Sequence, residues 1–148
     1  MSGTALIDLQ SAEYARLTSD TTFPTLVTGV YDAVPENASE PFVVLGDATE
    51  IPYRTFANDG RELTRTFHIY DRDGALFNNT RTTGNKRALA ILNALITTLE
   101  GTPLSVSAFG VVDYCYEFGQ PMPPEGDGSG GTYRHVVARF RATLEAAS

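Results

Sequence analysis

The segment from Asn85 to Glu100 constrains the fold more than any other part of the chain. Ala88, Ile91, Leu92, Leu95 and Leu99 recur at helical spacing and form one apolar stripe, which Leu89 and Ile96 widen. Arg87, Asn93, Thr97 and Glu100 fall elsewhere on the helix surface. Thr82, Thr83 and Asn85 offer oxygens for an N-terminal cap. Gly101 is expected to supply a left-handed stop, and Pro103 forbids continuation. A helix of about 15 residues is marginal alone in water and needs a sheet to lie on.

The flanking segments predict that sheet. Ser2 to Thr18 reads as a first, weaker amphipathic helix with Leu6, Leu9, Ala12 or Glu13, and Leu17 on its stripe. Pro24 biases Phe23 to an extended conformation, and Val27 to Val34 holds a short strand. After the acidic loop Pro35 to Pro41, Phe42 to Gly46 is an apolar strand that continues irregularly through Thr49 to Arg54. Asn58, Asp59 and Gly60 make a turn. Arg61 to Tyr70 then alternates, with Leu63, Phe67 and Ile69 on one face and Thr64, Thr66, His68 and Tyr70 on the other. Past the Asp71–Gly74 turn and the polar connection Ala75 to Gly84 comes the central helix.

Leu104 to Phe118 is a long strand in which Gly110 marks a bulge or bend. Val112, Tyr114, Tyr116 and Phe118 are expected on one face of it. Gly119 to Gly131 is rich in proline and glycine and is expected to be mobile. Tyr133 to Leu144 is the last strand, and the tail Glu145 to Ser148 adds nothing to the fold. The expected fold is α+β: an antiparallel sheet of about four strands, made of two hairpins, with two helices packed on one face. Its 148 residues are one domain's worth, 1–148.

The chemistry that catalysis or metal binding requires is not legible. Cys115 is the single cysteine, which excludes an internal disulfide framework and a cysteine metal site. His68 and His135 each sit alone in a strand, on the face away from the core, and read as surface or interface imidazoles. A metal site would need both side by side on paired strands, plus an acid. Asp71, Asp73 and Gly74 fail the calcium-loop pattern: the glycine comes too early and Thr80 stands where the glutamate belongs. Gly126 to Gly131 has no lysine and no following helix, so it is no phosphate cradle. No cofactor, metal or enzymatic activity is expected.

A net charge of −7 argues against wrapping nucleic acid, where a basic face supplies most of the affinity. The N-terminus shows no basic region followed by an apolar run, so no signal peptide is expected, and no apolar run approaches the ~18 residues that span a bilayer. Tyr114, Tyr116, Tyr133, Val137 and Phe118 surround the Pro/Gly loop. They read equally as an interface or as a core cover with wet hydroxyls.

The order of elements and several local strings resemble the tail-terminator, or tail completion, proteins of long-tailed bacteriophages, the group related to the siphophage tail-to-head joining proteins. The carrying residues are Val30, Tyr31, Asp32 and Pro35, followed by Pro41 and the strand Phe42 to Gly46. The strand Thr66 to Tyr70 ending at the Asp71–Gly74 turn, the alanine- and leucine-rich helix and the closing strand Val136 to Leu144 add to them. The resemblance runs from about Leu6 to Leu144.

The resemblance implies a structural virion protein without catalytic residues. It implies a ring of self-associated copies, usually six, that caps the tail tube protein, ends tube polymerisation and offers a head-tail joining surface to the head-side connector or neck protein. Six copies at −7 each would make an acidic lumen that lets DNA pass without specific nucleic-acid binding. No membrane is implied. The place is the head-proximal end of the tail in a phage or gene transfer agent, reached from the host cytoplasm during assembly. The alternatives are a neck or head-completion protein of the same particle, and a small-ligand binding domain using the open sheet face. The expected contacts lie in the hairpin Thr49 to Arg65 and the loop Gly119 to Gly131. The candidate interface residues are Arg54, Arg61, Arg65, His68, Tyr116, Tyr133, His135 and Arg139.

Overall fold

Alternation along one strand sets the whole architecture. In β3 (Asp59–Arg72) the odd-numbered residues from Arg61 to Asp71 are buried, and the even-numbered ones from Glu62 to Tyr70 are only half-buried. One face of the sheet therefore carries the core and the other is open. The computed structural model describes residues 3–55 and 57–146. Ser2 of the first expected helix, Phe56 of the hairpin and Ala147 and Ser148 of the tail lie outside them.

Two helices cover the core face. The first, α1, spans Leu6–Ser19 and the second, α2, spans Lys86–Glu100. The residues α2 buries are Ala88, Ile91, Leu92, Leu95 and Leu99, the stripe read from the sequence. They join Leu9 and Leu17 of α1 and Leu63, Phe67, Ile69, Val136 and Phe140 of the sheet in one apolar cluster. Burying a leucine or phenylalanine side chain contributes about 2–3 kcal/mol.

The ends of α2 differ from expectation. Asn85 is the N-cap, but its side chain makes no capping hydrogen bond. Gly101 has φ −61°, which is right-handed, so it is not the left-handed stop. The carbonyls at that end are met by Arg16 of α1, whose guanidinium donates to Thr98 O at 3.1 Å, Thr102 O at 2.9 Å and Pro103 O at 3.0 Å. A cation there also complements the negative end of the helix dipole. Phe23 is not extended either: Phe23–Thr25 is a 3₁₀ turn that buries the Phe23 ring.

The α+β class stands, but the sheet is larger and mixed rather than a four-stranded antiparallel one. Its strands among the described residues are β1 (Val30–Tyr31), β2 (Phe42–Arg54), β3, β6 (Phe109–Pro121), β7 (Glu125–Gly126) and β8 (Thr132–Ala146). The order is β1-β2-β3-β8-β6, and β7 also pairs β8. A separate two-stranded ladder joins β4 (Leu76–Phe77) and β5 (Thr80–Arg81). The sheet is mixed because β1 runs parallel to β2, with Val30 opposite Val43 and Tyr31 opposite Val44. The chain between them is too long for a hairpin, so nothing forces an antiparallel return.

The segment expected to lack structure is partly strand. β6 continues through Pro121, and β7 sets Glu125 opposite Tyr133. The turn between β7 and β8 is held by Asp127 Oδ1, which accepts from Ser129 N at 2.8 Å and Gly131 N at 2.9 Å. β8 likewise runs to Ala146, so Glu145 and Ala146 belong to the sheet, not to an idle tail.

Candidate functional site

Four of the eight candidate interface residues lie on the open face of the sheet, which no helix among the described residues covers. Register decides which side chains meet there. Tyr70 of β3 faces His135 of β8 and Phe42 of β2; His68 faces Val137 and Val44. The rings form a continuous row. Tyr31 and Phe42 have centroids 5.8 Å apart, Phe42 and Tyr70 5.4 Å, and Tyr70 and His135 4.4 Å with planes 15° apart.

His68 Nδ1 and His135 Nε2 are 2.8 Å apart, so one neutral imidazole donates to the other. In the sequence each histidine stands alone in its strand, because one strand says nothing about its neighbour's register. They do stand on paired strands, yet no third ligand joins them. Among the described residues no group of three or more His, Cys, Asp or Glu could hold a metal. Burial lowers the pKa of both rings; Asp47 opposes this at His68, the His68 ring adds to it at His135, and Glu125 opposes it at His135. Burial raises the Tyr70 hydroxyl, and Glu125 raises it further.

Next to this row lies a cleft of about 410 Å³ lined by Glu40, Phe42, Tyr70, Glu125, Tyr133 and His135. Farther along the same face the groups are charged. Arg139 lies 3.4 Å from Glu117 and 5.7 Å over the Phe118 ring. Arg141 pairs with Glu62 and with Glu117. The Arg141 bond holds the Glu117 carboxyl below its ordinary pKa.

Arg61 and Arg65 are not on a surface. Their exposures are 2% and 3%. Arg61 reaches Asp59 and Glu50 and donates to Gly3 O. Arg65 Nε donates to Glu13 at 2.8 Å, and the Tyr114 hydroxyl donates to the other oxygen of that carboxylate at 2.7 Å. Burial raises the Glu13 pKa against both partners, and burial pushes the Tyr114 hydroxyl well above its ordinary value. These groups tie α1 to the sheet. The signal was in the sequence: the alternation that puts Leu63, Phe67 and Ile69 inward puts Arg61 and Arg65 inward as well.

Tyr116 also turns inward. Its ring sits 5.6 Å from Phe140, and Gly119 leaves room for its hydroxyl, which a Cβ at that position would strike. Two register shifts in β6, between Val111 and Asp113 and between Tyr116 and Phe118, split the face on which four residues were expected. Tyr114 and Tyr116 pack on the core, while Val112 (58% exposed) and Phe118 (43%) leave it. Gly110 is not the bulge: Gly110 and Val111 keep register with Glu145 and Leu144. Arg54 is exposed at the end of β2, and Tyr133 is exposed at the cleft rim.

Burial, with Asp113 adding to it, raises the Cys115 thiol, the opposite of an activated nucleophile. No helix among the described residues is long and apolar enough to cross a membrane.

A search of curated proteins returns no match. Solved structures do match. A chain described as part of the "Virion of native gene transfer agent (GTA) particle" is 23% identical, with TM-score 0.79, covering 98% of this chain and 100% of that one. The gp17 protein of bacteriophage SPP1 is 21% identical, with TM-score 0.57 and 96% of each chain covered. At these identities the likeness shows a shared fold. Residues 12–145 match the family described as tail completion protein gp17, and the chain belongs to that family.

Proposed function

We propose that the protein works in the tail of a phage or gene transfer particle, as a ring that caps the tail tube. The ring, of six copies, ends tube polymerisation and offers the head-side connector its joining surface. The observation that carries this reading is the family match over residues 12–145, nearly the whole chain. A relative seen within a gene transfer agent virion supports a place in a particle of that kind.

Two features of the chain favour self-association. β1 covers β2 only at Val43 and Val44, so the distal half of β2 is an open edge. β6 is the open edge on the other side. Unpaired strand edges are templates for pairing with another chain, and a head-to-tail contact between unlike edges closes a ring when the rotation fits. Copies carrying −7 each give the lumen an acidic character that repels DNA phosphates. On this reading the contacts come from the hairpin around Arg54, from the open-face residues His68, Tyr133, His135 and Arg139, and from the segment 119–131.

Electron microscopy of particles lacking the gene tests the reading. Overlong or unattached tails are the expected result. Tails of normal length that fail only to join heads would move the protein to the neck, and intact infectious particles would overturn a role in the tail.

A further inference from the structure

The cleft at the Phe42–Tyr70–His135 end of the open face has a chemistry that a mere sheet surface does not need. Three of its walls are aromatic rings: Phe42, which is 8% exposed, Tyr70, which stacks one face on His135, and Tyr133, which is 37% exposed. Two carboxylates, Glu40 and Glu125, stand among them. Glu40 comes from the loop before β2, and Glu125 from β7, which pairs β8 at Tyr133. The Glu40 side chain is only 16% exposed, yet among the described residues it accepts no hydrogen bond and has one loose ion pair, to Arg72 at 3.8 Å. A largely covered carboxylate normally has firmer partners. Glu125 makes no hydrogen bond or ion pair among the described residues, although its charge reaches both Tyr70 and His135.

Aromatic faces carry negative potential and attract a cation placed within about 6 Å of the ring centre. Carboxylates at the rim add direct charge complementarity. We propose that this cleft is a socket for a cationic side chain, an arginine or lysine, presented by a partner protein that stacks on the ring.

A second copy is a poor source of that cation. Of the eleven basic side chains, only Arg54 and Lys86 make no hydrogen bond or ion pair among the described residues. Arg54 and Phe42 are the two ends of β2, a 13-residue strand, so Arg54 lies about 40 Å from the cleft along the sheet. Lys86 opens α2, in the layer on the other face. Copies joined edge to edge keep both away from each other's cleft; this exclusion rests on the ring reading, whereas the cation specificity does not.

The test has two arms. In the first, the full chain is titrated with N-acetylarginine amide and with its neutral citrulline counterpart, and the ring signals of Tyr70, Tyr133 and His135 are followed by nuclear magnetic resonance. Saturable shifts with the arginine compound alone, lost in Glu40→Gln/Glu125→Gln, are expected. Equal shifts with both compounds, or none, overturn the socket, and they do so whether or not a ring forms. In the second arm, a photo-cross-linking residue replaces Tyr133 in assembled tails and adducts are mapped. An adduct beside a basic residue of another virion protein is expected. Adducts on a second copy, on a segment without a basic residue, or none at all overturn the assigned partner.

Discussion

Arg65 donates to Glu13 at 2.8 Å in a place where their side chains are 4% and 0% exposed. One charge comes from the middle of β3 and the other from the middle of α1, so the pair fixes the helix on the sheet. The Tyr114 hydroxyl completes the carboxylate's shell. Removing one member leaves a buried charge without its counter-charge, which costs about 3–5 kcal/mol. Glu13→Ala is expected to lower the unfolding free energy by about that amount in urea titrations. The combined Glu13→Leu/Arg65→Met variant is expected to recover most of it, because neither charge then needs desolvation. A single variant as stable as the parent would show that the pair carries no such weight. Charge reversal at Arg65 therefore reports on folding before it reports on assembly.

Arg16 makes the second cross-helix tie. Its guanidinium takes three carbonyls around the end of α2, where a left-handed glycine would otherwise have served. Arg16→Ala is expected to cost about 1–2 kcal/mol, from lost charge-assisted bonds and lost dipole complementarity. Amide hydrogen exchange checks the location: protection should fall in the last turn of α2, near Thr97 to Glu100, more than in its first. Uniform loss along α2 would assign the effect to global stability instead.

Period and register explain how much of this was legible. The α2 stripe could be read in full because five apolar residues share one helical period. The two inward arginines followed the same logic along β3, yet charge made them look like surface. Glu13, the partner of Arg65, sits in the α1 stripe, so a buried pair was within reach of the sequence. The larger sheet was not: β7 is two residues with no period to detect, and the short strand expected within Val27 to Val34 carries no mark of its parallel pairing with β2. The β6 bulges were hidden for a different reason: one extra residue flips the alternation without leaving a mark in composition. The histidine pair needs the β3–β8 register, which only the folded sheet supplies.

That pair is expected to make stability pH-dependent. Both imidazoles have folded pKa values lowered from 6.5 by burial. The groups facing them are Asp47 and Glu125, which oppose the shift, and Tyr70, which stacks on both rings. A histidine with a lowered folded pKa binds protons more readily in the unfolded chain. Its contribution is therefore fully present above about pH 6.5 and is lost as pH falls through the lowered folded values. Unfolding midpoints measured from pH 8 to pH 5 are expected to fall more steeply for the parent than for His68→Gln/His135→Gln. Parallel curves would show that the pair's titration is not coupled to folding.

On the ring reading, two exposed apolar residues lie where copies would join. Ile51 on the open edge of β2 is 62% exposed, and Val112 on the open edge of β6 is 58% exposed. Register puts them at one level of the sheet: Ile51 pairs with Glu62, Glu62 with Thr143, and Thr143 with Asp113, the neighbour of Val112. The four long strands alternate in direction, so β6 runs antiparallel to β2. Placing the β2 edge of one copy against the β6 edge of the next continues that alternation and brings Ile51 beside Val112. A lysine at either place leaves the monomer's core untouched, with stability within about 0.5 kcal/mol of the parent. It would bury a charge at the joint, the device by which natural sheets keep edges apart. Ile51→Lys and Val112→Lys are each expected to melt like the parent and to leave tubes uncapped in electron micrographs. Capping by both variants at the parent's level would mean that the ring closes through a surface other than these edges.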